Sequence, residues 1–172
     1  MKNMKMKKLI LLMLVLVGFS CRKETIPADM LVTASFNQKN WEAKSFASAL
    51  PHGRIGFSFN VSKGGTLKES LGMSSLPMNV GSYDSTFFQT DSLFRAVYAI
   101  LGADGDAILD YYHLDKSVGT NFFSIDKLSS TTNKVEGRFD LTFFIDTSGI
   151  NRDPNLPDII HFTDGKYKVQ YK

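Results

Sequence analysis

From Leu31 to the end of the chain, apolar and polar residues alternate with a period of two, and clusters of Gly, Pro, Asn and Asp interrupt the alternation. The cleanest stretch is Lys134 to Asp146. Val135, Gly137, Phe139, Leu141, Phe143 and Ile145 fall on one face, and Glu136, Arg138, Asp140 and Thr142 on the other. Arg54 to Val61 repeats the pattern, with Ile55, Phe57, Phe59 and Val61 set against Arg54, Gly56, Ser58 and Asn60. Successive side chains of a strand point to opposite faces, so both stretches predict half-buried strands. Phe144 breaks the polar face of the first, which suggests that this face is partly covered.

The same criterion predicts strands at Leu31–Phe36, Thr66–Leu76, Phe94–Leu101, Ala107–Leu114, Thr120–Lys127, Ile159–Phe162 and Lys166–Tyr171. Trp41–Leu50 suits a short helix by composition. The turn-like Asn37-Gln38-Lys39-Asn40 ahead of it favours a strand in a hairpin. Breaks fall at Ser62–Gly65, Pro77–Gly81, Gly102–Asp106, Ser129–Asn133 and Thr147–Pro157, and Thr163-Asp164-Gly165 reads as the turn of a last hairpin. Ser82–Ser92 shows no clear period. No helical run is long enough for a βαβ crossover, and no internal repeat is present. About ten short strands with turns between them predict an all-β domain over residues 31–172, an antiparallel β-sandwich or barrel.

The first thirty residues follow a different rule. Lys2, Lys5, Lys7 and Lys8 precede nine apolar residues, Leu9 to Val17, and then Gly18, Phe19, Ser20 and Cys21. This is the order of an export signal. The apolar run is shorter than the roughly 20 residues that cross a bilayer. Val17-Gly18-Phe19-Ser20-Cys21 resembles a lipobox, the site where lipoprotein signal peptidase cuts before a lipidated cysteine. The expected organisation is a signal peptide over residues 1–20, lipidated Cys21, and a short tether to residue 30. Nine extended residues reach about 30 Å, so the domain would sit near the membrane. Two or more acyl chains give stable anchoring.

This changes how the charge is understood. The chain carries 20 Lys+Arg and 17 Asp+Glu, a net +3. Four of those lysines lie in the signal, leaving sixteen against seventeen, a net −1. No basic stripe remains, so a nucleic-acid partner is not expected. Cys21 is the lone cysteine, which excludes disulfides, and stability must come from burial. Fourteen Phe, six Tyr and one Trp supply the apolar area.

Asn133-Lys134-Val135-Glu136-Gly137-Arg138-Phe139 with Phe143, and Ile160-His161-Phe162-Thr163-Asp164-Gly165-Lys166-Tyr167-Lys168-Val169, resemble the C-terminal part of small lipoproteins from Bacteroidota that belong to domain-of-unknown-function families. Ala34-Ser35-Phe36-Asn37 with Trp41 is similar to their opening hairpin, in which an Asn-Gly turn precedes a Trp. Gln38 stands here in place of that Gly. The resemblance implies a β-sandwich-like domain and carries no activity.

Candidate chemistry is sparse. Asp104, Asp106 and Asp110 around Gly105 supply oxygen ligands of the kind calcium takes, but Asp-Gly is also ordinary hairpin chemistry. No other metal set and no cofactor is expected. His52, His113 and His161 are not paired at metal-binding spacing. Gly72-Met73-Ser74-Ser75-Leu76 lacks the second glycine of a nucleophile elbow. Tyr111-Tyr112, Phe87-Phe88, Phe122-Phe123 and Phe143-Phe144 would each place one ring inward and one outward on a strand. The outer rings would form a recognition platform or, in the favoured reading, lie under a second covered face. These features predict a membrane-anchored binding module of the cell envelope, with the outer membrane as its expected site. It would recognise a glycan, a peptide or an envelope protein. A lipid-anchored hydrolase and a purely structural envelope component are the alternatives.

Overall fold

A computed structural model describes residues 27–148 and 153–172. The expected signal segment and Cys21 lie outside the described residues. Pro27 leads into a 3-10 turn at Ala28–Met30, where the Met30 amide donates to the Pro27 carbonyl at 2.9 Å. The end of the expected tether is thus folded onto the domain. Ten strands follow: β1 (Leu31–Phe36), β2 (Lys39–Leu50), β3 (Arg54–Lys63), β4 (Thr66–Pro77), β5 (Gly81–Asp84), β6 (Arg95–Leu101), β7 (Ile108–Leu114), β8 (Phe122–Ser129), β9 (Lys134–Ile145) and β10 (Ile159–Gln170). A helix, α1 (Ser85–Thr90), joins β5 to β6.

Every strand pairing between these elements is antiparallel, and the sheet closes on itself in the order β10-β1-β2-β3-β4-β6-β7-β9, with β9 returning to β10. Of the two architectures the pattern allowed, closure selects the barrel. An eight-stranded barrel is just wide enough for side chains to fill. Here large rings fill it. Phe59 stacks on Phe139 with centroids 5.6 Å apart, and Phe123 stacks on Tyr167 at 5.0 Å. Phe57, Tyr98, Tyr112 and Phe162 complete the interior. The inward faces of β3 and β9 are the ones their alternation predicted.

One edge of β9 is shared. β7 occupies it at Phe143–Ile145, and β8 occupies it from Lys134 to Asp140. The chain leaves the sheet between them, and Asn121 closes the gap. Its Oδ1 accepts from the Thr142 amide at 2.8 Å, and its Nδ2 donates to the Asp115 carbonyl at 2.6 Å. β5 pairs only with β8 in this sheet. The seam between β5 and the barrel is packed by Phe88 of α1 and Phe94, stacked at 4.8 Å. Asp84 caps α1 by accepting from the amides of Thr86 and Phe87. Arg54 donates to the Ser75 carbonyl and pairs with Asp91 at 2.7 Å, fastening the end of α1 to β3 and β4.

Two local expectations are corrected and a third is made more specific. Ser82–Ser92, which showed no period, holds β5 and α1; a helix of six residues is too short to display one. Thr163-Asp164-Gly165 is not a hairpin turn. β10 runs through it as one strand with a bulge between Phe162 and Gly165, because β9 pairs with it on both sides of that point. A Cβ on Gly165 would lie 2.6 Å from the Phe139 ring, so glycine is needed where the bulge meets the core. The cover on β9's outer face is not over Phe144, which is 44% exposed, but beside it, where Asn121 meets Thr142 at 7% exposure. Gly137, inside the barrel, has a related role. The Tyr167 hydroxyl crosses it to donate to the Ser124 carbonyl at 2.8 Å, and a Cβ there would sit 1.9 Å from that carbonyl oxygen.

Strand direction sorts the connections between two ends. The 3-10 turn, residues 51–53, 78–80 and 130–133, and the C-terminal residue lie at one end. Lys172 is held there against β2, with its carbonyl accepting from the Ala49 amide at 2.9 Å. The β1–β2, β3–β4, β6–β7 and β9–β10 connections lie at the other.

Candidate functional site

The outer surface of the barrel near the end opposite the 3-10 turn gathers apolar groups from three strands. His113 on β7, Phe144 on β9 and Ile159 on β10 are direct cross-strand neighbours. Tyr111 lies one outward position further along β7, where its carbonyl accepts from the Asp146 amide at 2.7 Å. Ile108 and Leu109 open the same strand. Ile108, Leu109, Phe144 and Ile159 are 53, 39, 44 and 52% exposed. The register explains the gathering. β9 meets β7 only through its last residues, so the outward positions of β7 stand beside Phe144, the one apolar break in β9's polar face.

The rings do not form a flat platform. Tyr111 and His113 meet at 81°, and His113 and Phe144 are tilted by 43°. The surface is therefore stepped, with Leu109 beyond Tyr111 at one end of the rings and Ile159 beside Phe144 at the other. Acids border it in sequence: Asp106 before Ile108, Asp146 after Phe144, and Asp158 before Ile159.

Asp146 is the electrostatic centre of this corner. Its Oδ1 accepts from the Ser148 hydroxyl at 2.6 Å and the Ser148 amide at 2.9 Å, and its Oδ2 lies 3.1 Å from His113 Nε2. The Ser148 bonds, then His113, hold its pKa down at about 2. A serine, an aspartate and a histidine are thus linked, but with the aspartate in the middle. In a hydrolytic triad the histidine stands between the other two and takes the serine proton. The order found here gives Ser148 no base other than a carboxylate that is already a weak one.

The other flagged residues are placed apart. Asp104 Oδ1 accepts from the Asp106 amide in a tight turn of the β6–β7 loop. The Lys68 ammonium reaches the carbonyls of Ala103 and Gly102 in the same loop, at 2.6 and 3.3 Å. Asp110 is buried on the inward side of β7 and faces the Asp153 amide at 3.3 Å. Among the described residues no three His, Cys, Asp or Glu side chains are grouped to hold a metal ion. His52 lies in the β2–β3 turn, and His161 Nδ1 meets the Thr142 hydroxyl at 3.1 Å on β10. The aromatic pairs divide as a strand requires at three places. Tyr112, Phe123 and Phe143 are core, with Tyr111, Phe122 and Phe144 outward. Phe87 and Phe88 are on α1 and both pack against Phe94.

The alternation of β4 does not mark Glu69. On the inner side of β4, its Oε2 accepts from Trp41 Nε1 and from the Tyr98 hydroxyl, each at 2.7 Å. Burial and then the charge of Glu69 push the Tyr98 hydroxyl pKa far up. Glu69 thereby satisfies two donors of the aromatic core. A single Glu within an alternating strand carries no sequence signal of that role. Compared with protein families, with curated proteins and with solved structures, the chain shows no match.

Proposed function

We propose that this protein is a lipid-anchored module of the cell envelope, of the kind found among Bacteroidota lipoproteins, that docks a partner protein through the corner formed by β7, β9 and β10. The observation that carries this reading is the in-register row His113–Phe144–Ile159, extended by Tyr111, Leu109 and Ile108. Clustered exposed apolar side chains on a folded surface mark interaction sites. Stepped rings with aliphatic neighbours suit apolar side chains of a protein better than the flat face of a sugar. The acids at the margin favour a partner with basic groups around its apolar contacts. In this reading Cys21 holds the domain on the outer membrane through its lipid.

The position of the corner supports the same reading. The chain enters the barrel at the end carrying the 3-10 turn, and the corner is at the other. Ten residues of β9 separate Lys134 from Phe144. At about 3.3 Å each and a tilt of about 40°, they hold the corner roughly 25 Å beyond the tether end. A partner approaching from the side away from the membrane meets it first.

The test is photo-crosslinking in intact cells producing the full chain. A photoreactive phenylalanine at Phe144 is expected to give a discrete protein adduct, and the same group at Lys127, on the charged outer face of β8 and β9, is not. The same adducts from both positions, or none from Phe144, would overturn the proposal.

A further inference from the structure

A second region of the outer surface, on β2, β3 and β4, has different chemistry. Phe46 projects from β2 and is 41% exposed. Its cross-strand neighbours are small: Ser58 on β3, then Gly72 on β4. The ring therefore stands above a low floor. A hollow of about 490 Å³ lies on one side, bounded by Glu42, Lys44, Phe46, Asn60 and Ser62. A smaller one of about 240 Å³, bounded by Leu50, Gly56, Ser58 and Ser74, lies on the other. The β3–β4 bulge between Val61 and Ser62 falls at the margin of the larger hollow.

The polar groups around the larger hollow are oriented and keep part of their bonding capacity. Asn60 Oδ1 accepts from the hydroxyls of Ser58 and Ser70, at 2.9 and 2.8 Å. Both bonds fix the amide with its oxygen occupied, which leaves the two N–H donors of Nδ2 for a ligand. Lys44 Nζ lies over one face of the Phe46 ring, 5.5 Å from its centre, so the opposite face is the one offered to a ligand. Among the described residues no ion pair engages Lys44 or Glu42, although Lys127, Lys168, Arg138 and Arg54 elsewhere on the surface are paired.

We infer that the hollows flanking Phe46 form a saccharide subsite. A pyranose presents an apolar C–H face and a rim of hydroxyls, each both donor and acceptor. Phe46 offers a ring to the face; Asn60, Lys44 and Glu42 offer donors and an acceptor to the rim. An extended peptide is the weaker fit. β2, β3 and β4 are interior strands of a closed sheet and have no free edge to add a strand to. Two hollows divided by one ring along β2 and β3 suit an oligosaccharide lying along the strands. This site is separate from the β7–β9–β10 corner and stands or falls independently of it.

The test is calorimetric titration of the full lipidated chain in detergent with cellohexaose, xylohexaose, mannohexaose and laminarihexaose. At least one is expected to bind saturably. Phe46→Ala should weaken it about tenfold or more, as loss of a central aromatic contact does, and Phe46→Tyr should retain it. Asn60→Asp keeps the acceptor for Ser58 and Ser70 but removes the two donors, so it should weaken binding with an unchanged melting temperature. Phe144→Ser should leave binding intact. Absence of binding by all four sugars, or binding indifferent to Phe46→Ala and Asn60→Asp, would overturn the inference.

Discussion

Gln38 occupies a backbone position made for another residue. Asn37 and Gln38 both have positive φ, 46° and 66°, the conformation of the tight hairpin turn that favours Asn-Gly. Asn37 suits it and also ties the turn to β10, its Oδ1 accepting from the His161 amide at 3.0 Å. Gln38 bears the steric cost of a Cβ in the left-handed region, about 1 kcal/mol. Gln38→Gly removes that cost and gives back part of it as unfolded-state entropy. The expected result is a gain of about 0.5 kcal/mol in urea unfolding; a loss would show that the glutamine side chain contributes more than its backbone strain. Asp146 allows a second check. Its pKa of about 2 lies below the ordinary carboxylate value because Ser148 and His113 favour its charged form. A depressed folded-state pKa contributes stability above the unfolded value of 3.8, and that stability is lost as pH falls through about 2. Ser148→Ala should move the Asp146 carboxyl titration, followed by NMR, upward toward 3.8 and flatten the fall in stability over that acid window. An unmoved midpoint would assign the shift to the amide of residue 148 and to His113.

At the scale of elements, the divided edge of β9 carries the shortest pairing of the barrel, three residue pairs between β7 and β9. β7 and β8 lie along one edge in succession, and Asn121 supplies the hydrogen bonds that neither strand makes at Thr142. Asn121 is 1% exposed, so its loss leaves the buried Thr142 amide unpaired, while the Asp115 carbonyl keeps the Val118 amide at 3.3 Å. Asn121→Ala is expected to cost about 1–3 kcal/mol in urea unfolding and to speed hydrogen exchange at the Thr142 amide. A cost below about 0.5 kcal/mol would mean that water replaces the side chain. This joint was not legible beforehand. β3 and β9 were, because each buries one face and a period of two records that directly. The bulge in β10 was not, because Thr-Asp-Gly has the same composition in a turn and in a bulge. The Phe139 ring and the continued pairing with β9 decide between them, and both depend on residues at least 21 positions away, as in Phe162 with Leu141. The same limit applies to the corner. Tyr111 and Phe144 drew notice as members of aromatic pairs, whereas Ile108, Leu109 and Ile159 did not. Their meeting is a matter of register between β7, β9 and β10.

At the scale of the molecule, the two ends of the barrel should differ in their distance from a membrane if Cys21 carries the lipid. The 3-10 turn follows Pro27 directly and packs against β10 and β2, which fixes the direction in which the chain joins the barrel. Residues 130–133 lie at that end, and Ile108 lies at the other. With Cys21 acylated, a single new cysteine can be labelled selectively. Thr131→Cys and Ile108→Cys, each carrying a fluorophore, are both exposed positions. In vesicles whose headgroups bear nitroxides, the label at position 131 should be quenched strongly and the label at 108 weakly. The roughly 25 Å between the barrel ends exceeds the few ångströms over which such contact quenching acts. Adding Cys21→Ala, which removes the acylated residue, should abolish quenching at both positions and radiolabelled palmitate incorporation together. Equal quenching at 131 and 108 would mean that the barrel lies on its side against the membrane. The corner would then face lipid as readily as protein, and the docking proposal would lose its geometric support. Palmitate incorporation unchanged by Cys21→Ala would remove the anchor on which the orientation rests.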